Sequence, residues 1–353
     1  MTMLRARVSD HLLRAARYQR HRDRFGWRPL FQLAALADPA NGEAARELRR
    51  SVPVPRADGL PAALRFMAIG TTGTCNASCI HCPTGKAETA HVPRGEMPME
   101  LFRKLIDGIA EAGLTVTDQI SFGLFGDGLV DRQVIERARY LKERLPEVQL
   151  SVNTNGAAYA PRHAELAGLV DVVGLHCESL VEETYNLLMQ PLRLARVKPK
   201  LEAILRDFPG KVHVSVPVSR RNLGELEAIR AWFMERGAQC VVFDPLSNRC
   251  AEDQTLFDSL ALAPAPVRCG PDITNDLIVD CDGLVLACCQ DFRRLEPVGN
   301  LLHESVADTL RSASRAALNA VLAEGRHCEK TTCGGCRGDM RTPDFPFDQL
   351  AAA

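Results

Sequence analysis

Three cysteines, Cys75, Cys79 and Cys82, lie within eight residues of one another in the segment GTTGTCNASCIHCPTGK. A disulfide takes two thiols, and a closed structural zinc site takes four ligands. Three thiolates suit an iron–sulfur cluster in which one iron keeps a free position for an outside ligand. The spacing therefore indicates an open iron–sulfur site, and the alternative is a zinc knuckle completed by His81 or His91.

Most of the other cysteines lie near the C-terminus. The chain has 13 cysteines in 353 residues, and seven of them follow residue 268: Cys269, Cys281, Cys288, Cys289, Cys328, Cys333 and Cys336. Cys177, Cys240 and Cys250 lie singly between the two groups. The two groups bracket a long segment that is poor in thiols, and this predicts two metal centres on two structural units.

The composition argues against several classes of protein. Lys plus Arg number 43 and Asp plus Glu number 44, so there is no overall basic field to attract nucleic acid. No apolar run is long enough for a membrane span, and the N-terminus lacks the continuous apolar segment of a secretory signal. We therefore expect a cytoplasmic protein whose cysteines are thiols or metal ligands rather than disulfides.

Strands and helices alternate along residues 65–247. Between the helical segments lie six strand-like segments: LRFMAIG, QISFGLFG, VQLSVNTNG, VDVVGLH, KVHVSVPVS and AQCVVFDPL. This alternation builds a parallel sheet with right-handed crossovers. Six units over roughly 180 residues fit an α/β partial (β/α)6 barrel better than a closed eight-stranded one. Chemistry in such sheets occurs beyond the carboxyl ends of the strands, where the three-cysteine loop falls.

Two further parts flank this predicted barrel. Residues 1–64 predict an N-terminal helical arm and a Pro-rich linker. Residues 248–353 predict a small cysteine-rich α+β domain. Within it, NDLIVDCDGLVLACC predicts a hairpin turning at Asp282 and Gly283, and SVADTLRSASRAALNAVLAEG predicts one helix. The domains are therefore predicted as 1–64, 65–247 and 248–353.

The Cys-x₃-Cys-x₂-Cys spacing resembles that of the radical S-adenosylmethionine (SAM) superfamily, with His81 where the family has an aromatic ring before the third cysteine. The resemblance implies a [4Fe-4S] cluster held by Cys75, Cys79 and Cys82, with SAM on the open iron. Cleavage of SAM would then give a 5′-deoxyadenosyl radical. A flavodoxin- or ferredoxin-type protein is the implied electron donor.

Other segments resemble the SAM-binding motifs of the same family. In FGDGLV, Gly126 and Asp127 occupy the Gly-Glu places of a Gly-Gly-Glu-Pro-like motif, although Gly128 stands where proline is common. NTNG, residues 153–156, resembles the turn near the nucleoside, which makes Asn153 and Asn155 candidate cofactor contacts. Ser215 and Ser219 follow as candidate ribose contacts. An ordinary strand-to-helix connector and an ordinary turn are the alternatives for the first two segments.

The C-terminal cysteines resemble SPASM and twitch auxiliary-cluster domains. Cys269-x₁₃-Gly283-x₄-Cys288 resembles the opening of such domains, and the VGNL segment at 298–301 also fits. The resemblance implies one auxiliary [4Fe-4S] cluster of the shorter twitch form, on Cys269, Cys288, Cys333 and Cys336. Cys328 is an alternative to Cys333, and Cys281 is expected to be a small buried hydrophobe.

These features lead to three hypotheses about function. The first is a radical SAM oxidoreductase or epimerase acting on a small polar metabolite such as a sugar, cyclitol or nucleoside, in which the auxiliary cluster accepts an electron. The second is a peptide maturase, and the third is a non-catalytic metal-binding scaffold. Residues at strand ends supply the candidate bases His176, Glu178, Arg220 and Arg249, and the candidate hydrogen-atom donors Cys177, Cys240 and Cys250.

Overall fold

The structure, a computed structural model, describes residues 56–339 and the single positions Val8 and Leu12. The N-terminal helical arm predicted for residues 1–64 therefore lies almost wholly outside the described residues. Within the described part of the chain, every helix is too short or too polar to cross a lipid bilayer.

Among the described residues, nine strands form one open sheet, in which six parallel strands are flanked at one edge by three strands from the C-terminal part of the chain. Its parallel core is β1 (Leu64–Ile69), β2 (Val116–Phe122), β3 (Leu150–Thr154), β4 (Val172–His176), β5 (Val212–Val218) and β6 (Cys240–Pro245). Each of these strands pairs in parallel with its neighbour in the chain. The prediction of a partial (β/α)6 barrel is confirmed, since six β/α units form the sheet and its edges do not meet.

Helices connect the parallel strands and cover one face of the sheet. They are α1 (Met99–Glu111), α2 (Val134–Arg144), α3 (Glu182–Leu188), α4 (Leu194–Asp207) and α5 (Leu226–Glu235). A 3-10 helix, Pro161–Gly168, makes the connection from β3 to β4. In α1 the apolar residues fall on one stripe, including Leu101, Leu105 and Ile109, and these side chains are buried against the sheet. Each contributes about 1.5–3 kcal/mol of burial free energy.

The two faces of the sheet differ in polarity. In β5, Val212, Val214, Val216 and Val218 are fully buried in the main core under the helices. The alternate residues His213 and Ser215 point to the other face, which is the inner face of the partial barrel. The same alternation places Asn153 of β3 and Asp244 of β6 on the inner face, so that face is lined by polar groups.

The C-terminal cysteine-rich part continues the same sheet. The predicted hairpin is β8 (Leu277–Val279) and β9 (Leu284–Leu286), with Gly283 at φ 87° in the turn. β10 (Pro297–Asn300) follows, and β8 pairs in parallel with β1. The hairpin is thus an extension of the barrel sheet, and the domain division near residue 247 stays a prediction.

The remaining C-terminal elements are short. They are α6 (Thr255–Leu260), β7 (Pro264–Pro266), α7 (Val306–Leu310), α8 (Ala313–Ala323), α9 (Thr331–Gly334) and β11 (Arg337–Asp339), with β7 and β11 forming a two-stranded sheet. One continuous helix was expected over 305–325, whereas α7 and α8 are separate. Ser312 has an extended backbone, and its hydroxyl accepts a hydrogen bond from the Arg315 backbone N–H, so it begins a second helix.

A buried ion pair lies beneath the start of α2. Arg137 and Asp131 are both fully buried, and Arg137 Nε lies 2.8 Å from Asp131 Oδ2. The Arg137 guanidinium also donates to the Met97 carbonyl and lies 5.2 Å from the centre of the Phe102 ring. It therefore ties the segment before α1 to α2, at the carboxyl side of the sheet.

Substitution of Arg137 by alanine should lower the free energy of unfolding by about 3–5 kcal/mol, because it leaves the Asp131 carboxylate buried without its partner. Urea unfolding of the metal-free protein measures the change. Arg139→Ala is the matched control, since Arg139 lies on the same helix and its pair with Glu165 is exposed, so that its loss should have little effect. Equal effects of the two substitutions would contradict the assignment.

Candidate metal centres

The cysteine loop, residues 70–86, leaves the carboxyl end of β1 and is held by backbone hydrogen bonds to the end of α3. Ser78 N–H donates to the Gln190 carbonyl at 2.5 Å, and Ile80 N–H donates to the Leu188 carbonyl at 2.9 Å. Cys75, Cys79 and Cys82 are half-buried on this loop. Burial, with the Asp127 charge adding to it, raises the pKa of the Cys75 thiol to about 12. The loop therefore presents thiols from a fixed backbone.

The FGDG segment packs directly against the cysteine loop. A Cβ on Gly126 would lie 2.3 Å from the Thr72 carbonyl oxygen and 2.6 Å from the Thr74 carbonyl oxygen. The next residue, Asp127, donates its backbone N–H to the same Thr74 carbonyl at 3.0 Å. Only glycine allows so close a contact between these two backbones.

The Asp127 side chain is a buried junction between strand ends. Its carboxylate accepts hydrogen bonds from Thr154 Oγ1 at 2.9 Å, from Asn155 N–H at 2.7 Å and from Leu129 N–H at 2.9 Å. Burial raises its pKa, although these hydrogen bonds oppose the change. The carboxylate thus holds the end of β3 against the loop after β2.

The NTNG turn reaches the cysteine loop through its second asparagine. Asn155 Nδ2 lies 2.7 Å from Asn76 Oδ1 and 3.8 Å from Cys75 Sγ. Asn153 is exposed on the inner face, where it donates to Ser121 Oγ at 2.9 Å. A Cβ on Gly174 would lie 2.2 Å from Asn153 Oδ1, so the glycine on β4 leaves room for this side chain.

Glu178 lies between two histidines beside the loop. Its carboxylate is 3.5 Å from His81 Nδ1 and 3.2 Å from His176 Nε2. Burial lowers the pKa of His81 to about 3, despite the nearby Glu178 charge. Burial would raise the pKa of Glu178, but the hydrogen bond with His176 and the Arg249 charge favour the carboxylate, and the pKa is lowered. Glu178 is therefore a buried carboxylate stabilised by its neighbours.

The separation of the sulfurs bears on the zinc alternative. Within residues 56–339, one group alone brings three possible ligand atoms within 4.8 Å of one another, namely Cys79, His176 and Glu178. Three thiolates on one tetrahedral zinc would have sulfurs about 3.8 Å apart. Cys75, Cys79 and Cys82 do not form such a group, and the assignment of an iron–sulfur cluster to them stays a prediction.

A second cavity lies beneath the C-terminal hairpin. It is lined by five cysteines: Cys250, Cys269, Cys288, Cys333 and Cys336. Apolar side chains complete its wall, including Val267, Leu318 and Leu322. His327 and Thr332 also line it, and His327 Nδ1 and Thr332 Oγ1 are buried without a hydrogen-bond partner among the described residues. A sulfur-rich cavity with unsatisfied polar atoms fits an iron–sulfur cluster.

The other C-terminal cysteines do not line this cavity, although Cys289 follows directly on Cys288, which does. Cys328 is exposed and does not line the C-terminal cavity. Cys281 is buried near the hairpin turn, with Sγ 3.8 Å from the Pro93 carbonyl. Cys289 packs with the aromatic cluster of Phe125 and Phe292, whose ring centres are 4.6 Å apart.

The structure separates the candidate catalytic residues. His176 and Glu178 lie together at the cysteine loop. Cys177 is buried in the main core under the helices, and its thiol donates to the Ser179 carbonyl at 3.3 Å. Cys240 is the first residue of β6, at its amino end, beside His213. Cys250 lines the C-terminal cavity.

Three polar residues at strand ends have different roles in the structure. Ser219 is buried, with its hydroxyl bonded to Asn222 Oδ1 at 3.2 Å. The Arg220 guanidinium donates to the carbonyl oxygens of Ala261 and Leu262. Arg249 instead lies beside the cysteine loop, because its guanidinium carbon is 5.2 Å from the centre of the Phe292 ring and Cys82 packs against the apolar cluster that contains Phe292.

Sequence reasoning missed three contributors to these centres. Asn248 anchors the backbone before Arg249, and Phe292 lies between the two groups of cysteines. His327 lines the C-terminal cavity, and the sequence feature that could have indicated this role is its position next to Cys328 in the HCEKTTCGGC segment. Asn248 and Phe292 carry no local motif, because their contacts are formed only in the folded chain.

No family model matches this chain. Among curated proteins, it is 31% identical over 178 residues to an AdoMet-dependent heme synthase of Methanosarcina barkeri, which is 49% of this chain and 48% of that protein. It is 29% identical over 175 residues to a GTP 3′,8-cyclase of Paenarthrobacter nicotinovorans, covering 48% of each. The chain thus spans about half the length of the curated relatives it matches.

Solved structures show the same fold at low sequence identity. BtrN in complex with AdoMet and 2-DOIA has a TM-score of 0.56 at 17% identity, covering 77% of this chain and 92% of BtrN. The enzyme anSMEcpe with AdoMet and the Cp18Cys peptide has a TM-score of 0.53 at 16% identity, covering 73% and 83%. The chain has the fold of radical SAM enzymes, and its resemblance to that superfamily, which includes SPASM/twitch-type members, is confirmed.

Substitution of Gly126 by alanine should remove iron from the N-terminal site alone. The new methyl group would collide with two carbonyl groups of the cysteine loop, which must then move. Iron content after anaerobic reconstitution should fall from about eight to about four per chain if each site holds one [4Fe-4S] cluster. Gly95→Ala is the control, because no atom lies within 4 Å of a Cβ built there. Full iron content in the Gly126→Ala protein would show that the close contact at Gly126 is not needed to hold the cysteine loop in position.

Proposed function

We propose that this protein is a radical SAM oxidoreductase that oxidises or epimerises a small polar metabolite, such as a sugar, cyclitol or nucleoside. The observation that carries the proposal is the position of the cysteine loop. Three half-buried thiols lie at the carboxyl edge of a parallel sheet, and the inner face of that sheet is lined by polar groups.

Cys75, Cys79 and Cys82 would hold the first [4Fe-4S] cluster, and SAM would occupy its open iron. When bound, this cluster supplies the electron that cleaves SAM to methionine and a 5′-deoxyadenosyl radical. The protein's part is to bind, orient and exclude water. Asn155 and His81 are the best-supported candidate SAM contacts. Asn155 lies against the cysteine loop, His81 belongs to that loop, and both side chains carry polar atoms.

Three other expected SAM contacts are engaged within the protein and act on the backbone of the site. Asp127 is engaged by three hydrogen bonds within the protein, so we assign it to holding the NTNG turn in place. Gly126 allows the loop after β2 to lie against the cysteine loop. Ser219 is engaged with Asn222. Their contribution to SAM binding is to fix the shape of the pocket.

The inner face suits a neutral or cationic polar substrate. Asn153 is exposed there, and Ser215 Oγ lies 2.5 Å from Asp244 Oδ2. Hydroxyl, amide and carboxylate groups bind the hydroxyl and amino groups of a small polar molecule. Among the described residues of β2–β6, the inward positions carry no Lys or Arg, which argues against a phosphorylated substrate.

Oxidation of a carbon radical requires loss of a proton and an electron. His176 is half-buried at the carboxyl end of β4, and its Nε2 is hydrogen-bonded to the buried Glu178 carboxylate. Glu178 would stabilise His176 once it accepts a proton, so His176 is the candidate base. The auxiliary [4Fe-4S] cluster, on Cys269, Cys288, Cys333 and Cys336, would accept the electron.

The second candidate function is that of a peptide maturase. It is favoured by the likeness to anSMEcpe, whose structure contains a peptide. The identity of that pair is 16%, so the likeness concerns the fold. A polar metabolite is favoured by the hydroxyl, amide and carboxylate groups that line the inner face.

The proposal also includes a cytoplasmic location and a flavodoxin- or ferredoxin-type electron donor.

Anaerobically reconstituted protein with reductant and SAM should release 5′-deoxyadenosine. With a substrate deuterated at the reacting carbon, the deuterium should appear in the 5′-deoxyadenosine. Sugars and cyclitols form one panel, and short synthetic peptides form the other. Cys82→Ala should abolish release, because two thiolates no longer hold the open cluster. A protein that binds iron but releases no 5′-deoxyadenosine with any reductant would be a metal-binding scaffold, and the proposal would fail.

The fourth auxiliary ligand can be assigned by paired substitutions. Cys333→Ser should remove the auxiliary cluster and about four irons per chain, because Cys333 lines the C-terminal cavity. Cys328→Ser should leave the iron content unchanged, because Cys328 is exposed outside that cavity. Electron paramagnetic resonance of the reduced protein identifies which cluster is lost. The reverse pattern would assign the ligand to Cys328.

A further inference from the structure

The segment Asn248–Arg249–Cys250, which follows β6, lies between the two groups of cysteines. Arg249 and Cys250 are consecutive residues in the left-handed region, with φ of 49° and 53°. This conformation is unfavourable for residues with a side chain, so surrounding contacts must hold it. The side chains of the two residues reach different sites.

Asn248 joins this segment to the strand that follows Cys336. Its backbone N–H donates to the Arg337 carbonyl at 2.9 Å, and its Nδ2 donates to the Gly335 carbonyl at 2.7 Å. Its Oδ1 accepts from the backbone N–H groups of Cys250 and Arg337, both at 3.1 Å. The position of the segment therefore depends on residues 335–337.

Cys250 faces the C-terminal cavity. It is buried, its thiol donates to the Thr332 carbonyl at 3.4 Å, and it lines the cavity together with Cys336. Both residues belong to the segment that carries Cys333 and Cys336. Cys250 therefore stands beside the proposed auxiliary ligands without being needed as one of the four.

Arg249 faces the cysteine loop. Its guanidinium carbon lies 5.2 Å from the centre of the Phe292 ring, and Cys82 packs against the apolar cluster that contains Phe292. The Glu178 carboxylate also attracts the guanidinium. Lys86 is the other cation near the loop thiols, and its ammonium group donates to the Ile80 carbonyl of the same loop.

We propose that Arg249 is a positioning residue that stabilises the reduced N-terminal cluster, and that the filled C-terminal site holds Arg249 in place through Cys250 and Asn248. The proposal rests on the proposed function, because it requires a cluster at each site. Reduction adds a negative charge next to the guanidinium, and hydrogen bonds to cluster sulfurs raise the reduction potential.

The consequence is a coupling between the two sites. Iron at Cys333 and Cys336 fixes the segment that anchors Asn248 and Cys250, and the strained backbone at Arg249 is then held against Cys82. Reduction of the N-terminal cluster becomes easier once the auxiliary cluster is present. SAM cleavage would thus be favoured when an electron acceptor is available to the substrate radical.

A double-mutant cycle tests this coupling. The midpoint potential of the N-terminal cluster is measured in the anaerobically reconstituted full chain, without substrate, by redox titration followed by electron paramagnetic resonance. Arg249→Gln should lower the reduction equilibrium constant about tenfold, which is ~59 mV for one electron. Removing the auxiliary cluster by joint Cys269→Ser and Cys288→Ser substitution should also lower the potential, and adding Arg249→Gln should lower it no further.

The sign separates this mechanism from simple electrostatics. A four-thiolate cluster is anionic, so its removal would by itself make the N-terminal cluster easier to reduce. A fall in potential on removal of the auxiliary cluster is expected only if that cluster positions Arg249. Arg249→Lys should retain part of the wild-type potential. Arg293→Gln is the control, since Arg293 lies next to Phe292 but pairs with Glu252, and it should leave the potential unchanged.

Cys250→Ala gives an independent measurement if the auxiliary-ligand variant fails to fold. It leaves all four proposed ligands in place, and it should lower the potential of the N-terminal cluster with both clusters loaded. An unchanged potential in Arg249→Gln or in Cys250→Ala protein would overturn the inference. A rise in potential on loss of the auxiliary cluster would also overturn it. Failure of either site to load a cluster would instead overturn the proposed function, and iron and sulfide analysis detects that outcome.

Discussion

The close contact between the loop after β2 and the cysteine loop is the constraint on which the site depends. Gly126 lies against the Thr72 and Thr74 carbonyl groups, and Asp127 bonds both to Thr74 and to the end of β3. Through its backbone N–H and its buried carboxylate, Asp127 therefore joins three segments that come from separate β/α units. The thiols on the loop take their positions from this junction, together with the backbone bonds to the end of α3.

Much of the barrel could be predicted from sequence, because its signals are local. Alternating apolar residues in VHVSVPVS and the helical stripe of α1 both correspond to buried positions under the helices. The Asp-Gly hairpin was also predicted from its turn residues. One helix was expected where the structure has two, separated at Ser312. A serine within a run of helix-forming residues caps a new helix only where the chain turns, and the sequence does not show that turn.

The candidate site was less accessible to sequence reasoning. Spacing identified the thiols, because ligand spacing within a loop is a local property. It did not distinguish among Cys177, Cys240 and Cys250, since the burial of each depends on which side of a strand or turn it faces. The contact of Arg249 with Phe292, beside Cys82, joins residues far apart in the chain, and it depends on two left-handed residues that no propensity predicts.

The pairing of β8 with β1 has a consequence for biosynthesis. Met67 of β1 lies opposite Leu277 of β8, so the strand that leads into the cysteine loop gains one of its two neighbours only from a late part of the chain. During synthesis β1 would remain an open sheet edge until residues beyond 277 have left the ribosome. The sheet that supports the cysteine loop would then be complete only after the hairpin of β8 and β9 has been synthesised. A cluster assembled before that point would be held by a loop whose supporting strand still lacks one neighbour.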